Sequence, residues 1–537
     1  MKSGTVVRMV IALAALLLLG LPSRTMAIPA FARKYHTTCA RCHTAEPRLN
    51  NYGWNFKFRG YHVPGDETAD KIVMKDDPFL SLFREVPLAV HASGAVVQSN
   101  TSGMNPDFAL NQYADLIFGG ALAPRMGMFM EVETQKDAAD NGFTSDIGNI
   151  RMEFTDLIRS NPTALNLEIG RFNPDEFGIS DGRRLTQDHY AIYDIGANPI
   201  GANPFPWEND VAGFNVFGGF GTGIGVETPV KAEAPVAAKA GTVSSAELNA
   251  LQHELETEPA APTTERPEVT AARATMDVLV KKGLMTQDEE DQAIANLAAR
   301  LGPAPAPPST PMTTPETAPA EMVIAKTDYD VHKGLFYQAG LVTPGVESRN
   351  RYQFFGRLQF ASAQNWWISP VVLVGSQGLT GYANPPEGQP SEFNDVTQRL
   401  GVEGSWSTGP HRDVAGVARH AVDLQAAFMH GNDDNADGLG HDVKFNGGFL
   451  EGTYLFNDRE LGILRWDKVT APLPIGYVSS LPPGTPPGLD VSALTANYTR
   501  YLRRNVKVGV EYVLDLQKSS TNHQNSNQWN VFYDFVF

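Results

Sequence analysis

From residue 85 to its end the chain is written in short segments, each about ten residues long, in which apolar and polar side chains alternate. In 506–516, Val506, Val508, Val510, Tyr512, Leu514 and Leu516 fall on one side, and Lys507, Gly509, Glu511, Val513 and Asp515 on the other. In 528–537, Trp529, Val531, Tyr533, Phe535 and Phe537 oppose Gln528, Asn530, Phe532, Asp534 and Val536. In 351–360, Tyr352, Phe354, Leu358 and Phe360 oppose Arg351, Gln353, Phe355, Arg357 and Gln359. Successive side chains of a strand point to opposite faces, so each segment makes a strand with one apolar and one polar face. Beyond residue 27 no apolar run approaches the ~20 residues of a helical membrane span. A soluble chain of 537 residues would show several domains with buried helices or continuously apolar strands. The expectation is an all-β fold, a transmembrane antiparallel β-barrel whose apolar faces meet lipid and whose charged faces line the lumen. A soluble β-sandwich would use the same alternation with the apolar face as its core. Tyr and Trp at the strand ends favour the membrane, because these side chains gather at the lipid–water interface.

The segments lie at roughly 85–98, 108–120, 124–134, 149–158, 164–172, 210–225, 332–344, 350–362, 366–375, 396–408, 418–431, 443–456, 460–469, 490–502, 505–517 and 527–537. That makes about 16 strands, an even number, as single-chain bacterial barrels require. Very short connections follow strands two, four, eight, twelve and fourteen, and long polar ones follow strands three, five, nine and thirteen. Periplasmic turns are short and extracellular loops long, so both termini are expected in the periplasm. One even connection departs from this pattern. Residues 226–330 have Ala-, Pro-, Thr- and Glu-rich flanks that read as extended linkers. Between them lie helical stretches at 244–257 and 269–300, the second broken at Gly283, which suits a helix C-terminus. Thr286 and Glu289 form a capping box for the helix that resumes after the break. The insertion is expected to hold a small helical hairpin on periplasmic tethers, either a docking element or a tolerated loop.

At the other end of the chain, Lys2 and Arg8 precede an apolar core at 9–21, and Thr25-Met26-Ala27 supplies small residues for cleavage. Residues 1–27 read as a signal peptide rather than an uncleaved anchor, with Ile28 the first mature residue. The chain's 2 cysteines then stand in Cys39-Ala40-Arg41-Cys42-His43. C-x-x-C-H is the attachment signature of c-type haem, in which both sulfurs bond the porphyrin and the imidazole takes the iron. One covalently attached haem c is expected, with Cys39 and Cys42 as attachment residues and His43 as proximal ligand of the haem iron. The alternatives are a periplasmic disulfide or an incomplete zinc pair; structural zinc wants four ligands, and there is no second cysteine pair. His62 and Met74 are the distal candidates, with His36 and His91 also near the segment. Methionine opposite histidine would raise the potential.

Residues 28–84 are few for a cytochrome, and Phe31, Tyr35, Tyr52, Trp54, Phe56, Phe58 and Tyr61 crowd the motif. So small a domain needs outside support, and a wide barrel lumen needs filling or leaves a channel. A small α-helical N-terminal haem segment is therefore expected to plug the periplasmic mouth. The organisation reads as signal peptide 1–27, haem segment 28–84, strands one to six in 85–225, insertion 226–330, and strands seven to sixteen in 331–537.

Pro29-Ala30-Phe31-Ala32-Arg33, the motif at 39–43, and Pro47, Leu49, Gly53, Phe56, Lys57, Gly60 and Tyr61 carry a resemblance. Together they resemble the N-terminus of the fused monohaem cytochrome c–porin family of bacterial outer membranes, which includes iron-oxidising outer-membrane cytochromes. The detailed match is confined to residues 29–61; beyond it the resemblance is of a barrel following one haem, and the terminal Phe537 resembles the closing residue of bacterial barrels. The 226–330 insertion departs from the family pattern. The resemblance implies electron transfer between an extracellular donor, often Fe(II), and periplasmic carriers. The expected partners are a periplasmic electron-carrier cytochrome, extracellular Fe(II) or another reductant, and outer-membrane lipid. No nucleic acid is expected of a chain with a formal net charge of -17. Whether Fe(II) oxidation is an enzymatic activity of this chain stays open. The other class of function is a general solute porin with a structural or sensory haem plug.

One further pattern concerns cations. Asp433-x-Asn435-x-Asp437-Gly438 begins like a calcium loop, but Lys444 stands where a bidentate Glu is needed. An acidic, exposed loop is the expectation. With Asp140, Asp146, Asp175, Glu176 and Asp181 on other outer loops, it would concentrate cations at the extracellular mouth.

Overall fold

The computed structural model describes residues 30–35, 39, 42–61, 71–73, 81–83, 87–99, 107–123, 125–136, 143–161, 163–193, 207, 210–222, 333–343, 351–362, 366–380, 392–409, 411–412, 418–435, 440–457, 459–472, 490–503, 506–517 and 527–536. Its body is a closed antiparallel barrel. In chain order the strands are β1 Leu88–Ser99, β2 Asp107–Ala123, β3 Met126–Lys136, β4 Phe143–Phe154, β5 Asn166–Phe172, β6 Val211–Thr222, β7 Lys333–Thr343, β8 Gln353–Ser362, β9 Trp366–Thr380, β10 Glu392–Ser407, β11 Ala421–Asp433, β12 Val443–Asn457, β13 Glu460–Thr470, β14 Val491–Arg503, β15 Val506–Asp515 and β16 Gln528–Val536. Each pairs with its neighbour in sequence, and β16 returns to β1 through pairs such as Phe535 with Ala92. Closure leaves no open edge, which a bilayer without competing water requires. The 16 strands are those read from the alternation.

The side-chain faces settle barrel against sandwich. Leu400 is 64 % exposed and Leu464 56 %, although both stand in the middle of well-paired strands, and Tyr352, just before β8, is 57 % exposed. Their neighbours point inward: Arg399 and Arg465 are buried. A large apolar surface facing out over a charged interior is a membrane barrel, not a core turned inside. Trp366, Trp406 and Phe456 mark one rim of the outer face and Tyr352 and Trp529 the other, as interfacial aromatics do.

One rim carries the connections 124–125, 363–365, 458–459 and 504–505, and the opposite rim carries longer ones. One expectation about this rim fails. The connection after β4 is 155–165, not a tight turn, because β4 begins at Phe143 and ends at Phe154. The connection after β10, residues 408–420, is also long and carries a small ladder, His411–Arg412 against Ala418–Arg419. The 226–330 insertion and its expected helices lie outside the described residues.

The lumen is not lined by charge alone. Val342, Phe355, Leu373, Met429, Phe445 and Phe449 point inward from β7, β8, β9, β11 and β12 and form one apolar cluster with Ile179, Tyr190, Ile192 and Tyr193. Those last four belong to the β5–β6 connection, which turns back into the barrel instead of standing over it. Two helices of the N-terminal segment, α1 Ala30–Lys34 and α2 Asn51–Phe58, with the small hairpin His43–Ala45/Arg48–Leu49 between them, also lie against inward-facing side chains. The segment is thus helical in part only. Another short ladder pairs Lys71–Val73 with Ser81–Phe83.

Candidate functional site

The C-x-x-C-H turn is tied directly to the start of α2. The Cys42 amide donates to the Cys39 carbonyl at 3.1 Å, and the Asn50 amide donates to the Cys42 carbonyl at 2.9 Å. Asn50 then caps the helix, its Oδ1 accepting from the Gly53 amide at 3.0 Å. Gly53 is required by the close approach: a Cβ there would stand 2.1 Å from the Cys42 carbonyl oxygen. Cys39 and Cys42 are half-buried. Phe31, Tyr35 and Tyr61 pack on or beside Phe56, the ring centroids 5.1 Å apart for Phe31–Phe56 and 5.5 Å for Tyr35–Phe56. Burial holds the His43 imidazole below its usual pKa, with Glu46 and the Pro47 carbonyl pulling the other way. Its Nδ1 is buried and reaches no hydrogen-bond partner among the described residues.

Three sets of contacts fasten this segment inside the barrel. Arg48 is paired with Glu451 and donates to Thr453 at 3.0 Å, both on β12. Glu46 meets Lys507 of β15 at 3.1 Å, and Tyr501 of β14 donates to the Glu46 carbonyl at 2.9 Å. Lys57 meets Glu176 of the β5–β6 connection at 2.9 Å. Aromatic edges complete the fit: Phe58 lies 5.1 Å from Phe217 and 5.8 Å from Phe336, and Tyr61 lies 5.3 Å from Phe129. Gly127 lets the chain pass, since a Cβ there would come within 2.3 Å of the Gly60 carbonyl. These contacts fall at the rim of the short turns.

From Glu46 a line of polar contacts runs along the wall. Lys507 Nζ continues to Asp534 Oδ2 at 3.2 Å, Asp534 Oδ1 to His91 Nε2 at 3.2 Å, and His91 Nδ1 to Asp115 Oδ2 at 3.1 Å. His91 is therefore held between two wall carboxylates. The distal candidates His62 and Met74, like His36, lie outside the described residues.

The inward connection 173–193 supplies the other side of the site. Glu176 is buried yet ionised: burial alone would raise its pKa, but Arg151 and Lys57 outweigh that and pull it down. Arg151 lies 3.1 Å from Glu176 and 2.9 Å from Glu168, and donates to Tyr61 Oη. Burial pushes the Asp175 carboxyl up to about 7. Asp181 is paired with Arg184, and its Oδ2 lies 2.7 Å from His189. Glu403 of β10 accepts from the Ile179 amide at 3.3 Å, Tyr193 Oη at 2.8 Å and Arg357 Nη1 at 2.6 Å. Asp175, Glu176 and Asp181 were expected on exposed outer loops; all three are buried and spoken for. Asp433 is corrected likewise. It ends β11 inside the lumen, 2.8 Å from Arg399, and is not part of an exposed acidic loop. Asp140 and Asp437 lie outside the described residues, while Asp146 stands exposed, 3.7 Å from Arg171. The signal for the inward fold was present in sequence: Phe177, Ile179, Leu185, Tyr190, Ile192 and Tyr193 are more apolar than an outer loop needs.

Between the N-terminal segment, the inward connection and strands β7–β11 lies a cavity of about 310 Å³. Trp54, Phe58, Phe177 and Trp367 give it aromatic walls, and Arg48, Arg183, Arg357, Gln338 and Asp423 give it polar ones.

The fold and site together define an outer-membrane β-barrel that holds its C-x-x-C-H segment within the lumen. No family model and no curated protein matches the chain. Among solved structures it is similar to an OmpF porin of Salmonella typhi in complex with daunomycin, at 10% identity over 84% of this chain and 97% of that one, TM-score 0.43. It is similar also to an anion-selective porin from Comamonas acidovorans, at 8% identity over 84% and 99% of the two chains, TM-score 0.44. A third is the outer membrane channel DcaP of Acinetobacter baumannii, at 9% identity over 84% and 97%, TM-score 0.42.

Proposed function

We propose that this chain is an outer-membrane electron conduit. In this reading one haem c, bonded to Cys39 and Cys42 with His43 beneath its iron, relays electrons between an extracellular reductant such as Fe(II) and a periplasmic cytochrome. The observation that carries it is the lodging of the C-x-x-C-H segment inside a membrane barrel, against β12, β14 and β15. The donor set fits the group. An imidazole whose buried Nδ1 has no hydrogen-bond partner among the described residues, half-buried cysteines one and four residues before it, and a helix brought onto the motif by Gly53 suit a haem-binding turn. When bound, the haem supplies a one-electron Fe(III)/Fe(II) couple. The protein's part is to hold His43 in one orientation, with Phe31, Tyr35 and Phe56 packed together on the helices that flank the motif. Short connections mark the periplasmic rim, so the segment faces the side on which a soluble carrier docks. The hydrocarbon layer is ~30 Å thick, so the donor approaches through the opposite mouth.

A second reading, a solute porin in which the haem segment is a structural or sensory plug, is favoured by the cavity beside that segment. Stopped-flow mixing of the purified, detergent-solubilised protein with Fe(II), followed at the haem absorbance, separates the two. Rapid reduction supports the conduit, and a haem that stays oxidised leaves the porin reading. Haem staining of Cys39→Ala and Cys42→Ala tests the foundation. Covalent haem should disappear in both, and its persistence in the double variant would sink both readings.

A further inference from the structure

We propose that His91 is a proton-binding site linked to the haem, taking up a proton when the iron is reduced and releasing it when the iron is re-oxidised. The proposal rests on the haem of the conduit reading and adds a proton to its electron. In each cycle the electron comes from the extracellular reductant and leaves to the periplasmic cytochrome, and the proton comes from water and returns to it.

Leu88 and Val90 of β1 face outward, so the alternation of the strand turns His91 toward the lumen. Both of its ring nitrogens meet carboxylates of the flanking strands. Nδ1 stands 3.1 Å from Asp115 Oδ2 of β2, and Nε2 stands 3.2 Å from Asp534 Oδ1 of β16. A neutral imidazole carries a single N–H. It can donate to only one of these oxygens, which leaves its other nitrogen, an acceptor, facing a second acceptor. Another proton removes that conflict, because both nitrogens of an imidazolium donate. Glu131 of β3 adds a further carboxylate within charge reach of the ring. The His91 side chain is 19 % exposed, which lets it exchange protons with water in the lumen. Asp115 and Asp534 are more deeply buried, and a partly buried pair is screened far less than an exposed one.

The link to the iron runs through ion pairs. Asp534 Oδ2 lies 3.2 Å from Lys507 Nζ, which in turn lies 3.1 Å from Glu46 Oε2. Glu46 and Lys507 are also the charged groups that act on the His43 imidazole. Tyr501 of β14 borders the same line, within reach of Lys507, Asp534 and Glu46. Whichever side the macrocycle takes, its iron is fixed by His43. Reduction lowers the charge at that point by one electron. A proton on His91 offsets part of the change, and partly buried groups transmit it better than water does. Linkage is reciprocal: a proton held more tightly by the reduced protein makes reduction easier at low pH.

The test is a spectroelectrochemical titration of the full-length, haem-loaded protein in detergent micelles, from about pH 5 to about pH 9, on both sides of the ordinary histidine value. The midpoint potential should fall as pH rises in the unaltered protein and stay level in His91→Gln. Reduction in weakly buffered solution with a pH dye should show a fraction of a proton taken up per haem, an uptake lost in the same variant. Asp115→Asn is nearly isosteric and decides the matter if His91→Gln does not fold; with one carboxylate gone, the fall in potential should move toward acid pH. Two results would overturn the proposal: a midpoint that ignores pH in the unaltered protein, or a pH dependence unchanged in the folded variants, which would put the proton on another group such as a haem carboxylate. Haem staining and Fe(II) reduction of the same samples separate the two levels. Covalent haem that Fe(II) reduces without any pH dependence sinks this proposal alone, whereas absence of covalent haem sinks it together with the conduit.

Discussion

Glu403 accepts from Arg357, from Tyr193 Oη and from the Ile179 amide, and so joins β8, β10 and the inward connection at one buried carboxylate. Removing one partner of a buried pair strands the other charge, at a cost of about 3–5 kcal/mol. Glu403→Ala should show that loss in urea unfolding in micelles; a change near zero would mean that Arg357 finds solvent. Glu176 and Asp175 respond to pH in opposite senses. Glu176 has its pKa held below the ordinary 4.5, burial being outweighed by Arg151 and Lys57. The unfolded chain therefore takes up that proton first, and the stabilisation is full above 4.5 and lost as pH falls through the depressed value. Burial raises Asp175 from 3.8 to about 7. Its contribution is present below 3.8 and lost as pH rises through about 7. Unfolding midpoints measured from acid to neutral pH should lose the acid decline in Glu176→Gln and the decline toward neutrality in Asp175→Asn. Parallel curves for all three proteins would contradict both assignments.

Strands were legible because their period is short and their faces are chemically opposite. Val506 to Leu516 states its own orientation, and the structure buries Lys507 and Glu511 while turning Val508 and Val510 outward. The connection 173–193 was not legible by the same rule. A loop has no period, and its direction is set by partners far away in sequence, such as Glu403 for Ile179 and Phe449 for Tyr190. The motif at 39–43 was plain from spacing, but its seat in the barrel depends on bare places that only the assembled fold explains. Gly127 is one, and it is expected to be intolerant. Gly127→Val should unseat the turn at Gly60 and raise the rate of tryptic cleavage at Arg33, Lys34 and Arg41 in the purified protein, while the barrel's circular dichroism stays β. Unchanged cleavage would mean that the segment is held elsewhere. Arg placed at the outward Val510 should cost ~2–4 kcal/mol near the bilayer midplane, and the same change at the inward Val513 less. Equal costs would show the faces to be assigned wrongly.

The insertion raises a question about the whole molecule, because it interrupts the barrel between β6 and β7. Those strands need nothing from it to pair. Thr222 lies directly across from Lys333, and the ladder runs without a break to Ala212 and Thr343. A two-residue turn is enough to join antiparallel neighbours at such a point, so the intervening residues are free to serve another purpose. Deleting 232–326 with a short Gly/Ser bridge should leave the barrel's unfolding midpoint and the rate of haem reduction by Fe(II) unchanged. If the insertion docks a periplasmic carrier, re-oxidation of the haem by a soluble cytochrome should slow severalfold; equal rates would reduce it to a passive loop. The same segment also tests the orientation on which the conduit depends. If the rim of short turns faces the periplasm, as proposed above, protease added to intact cells should leave its linkers uncut. Cleavage without permeabilisation would turn the barrel over and put the C-x-x-C-H segment at the outer mouth, out of reach of any periplasmic carrier.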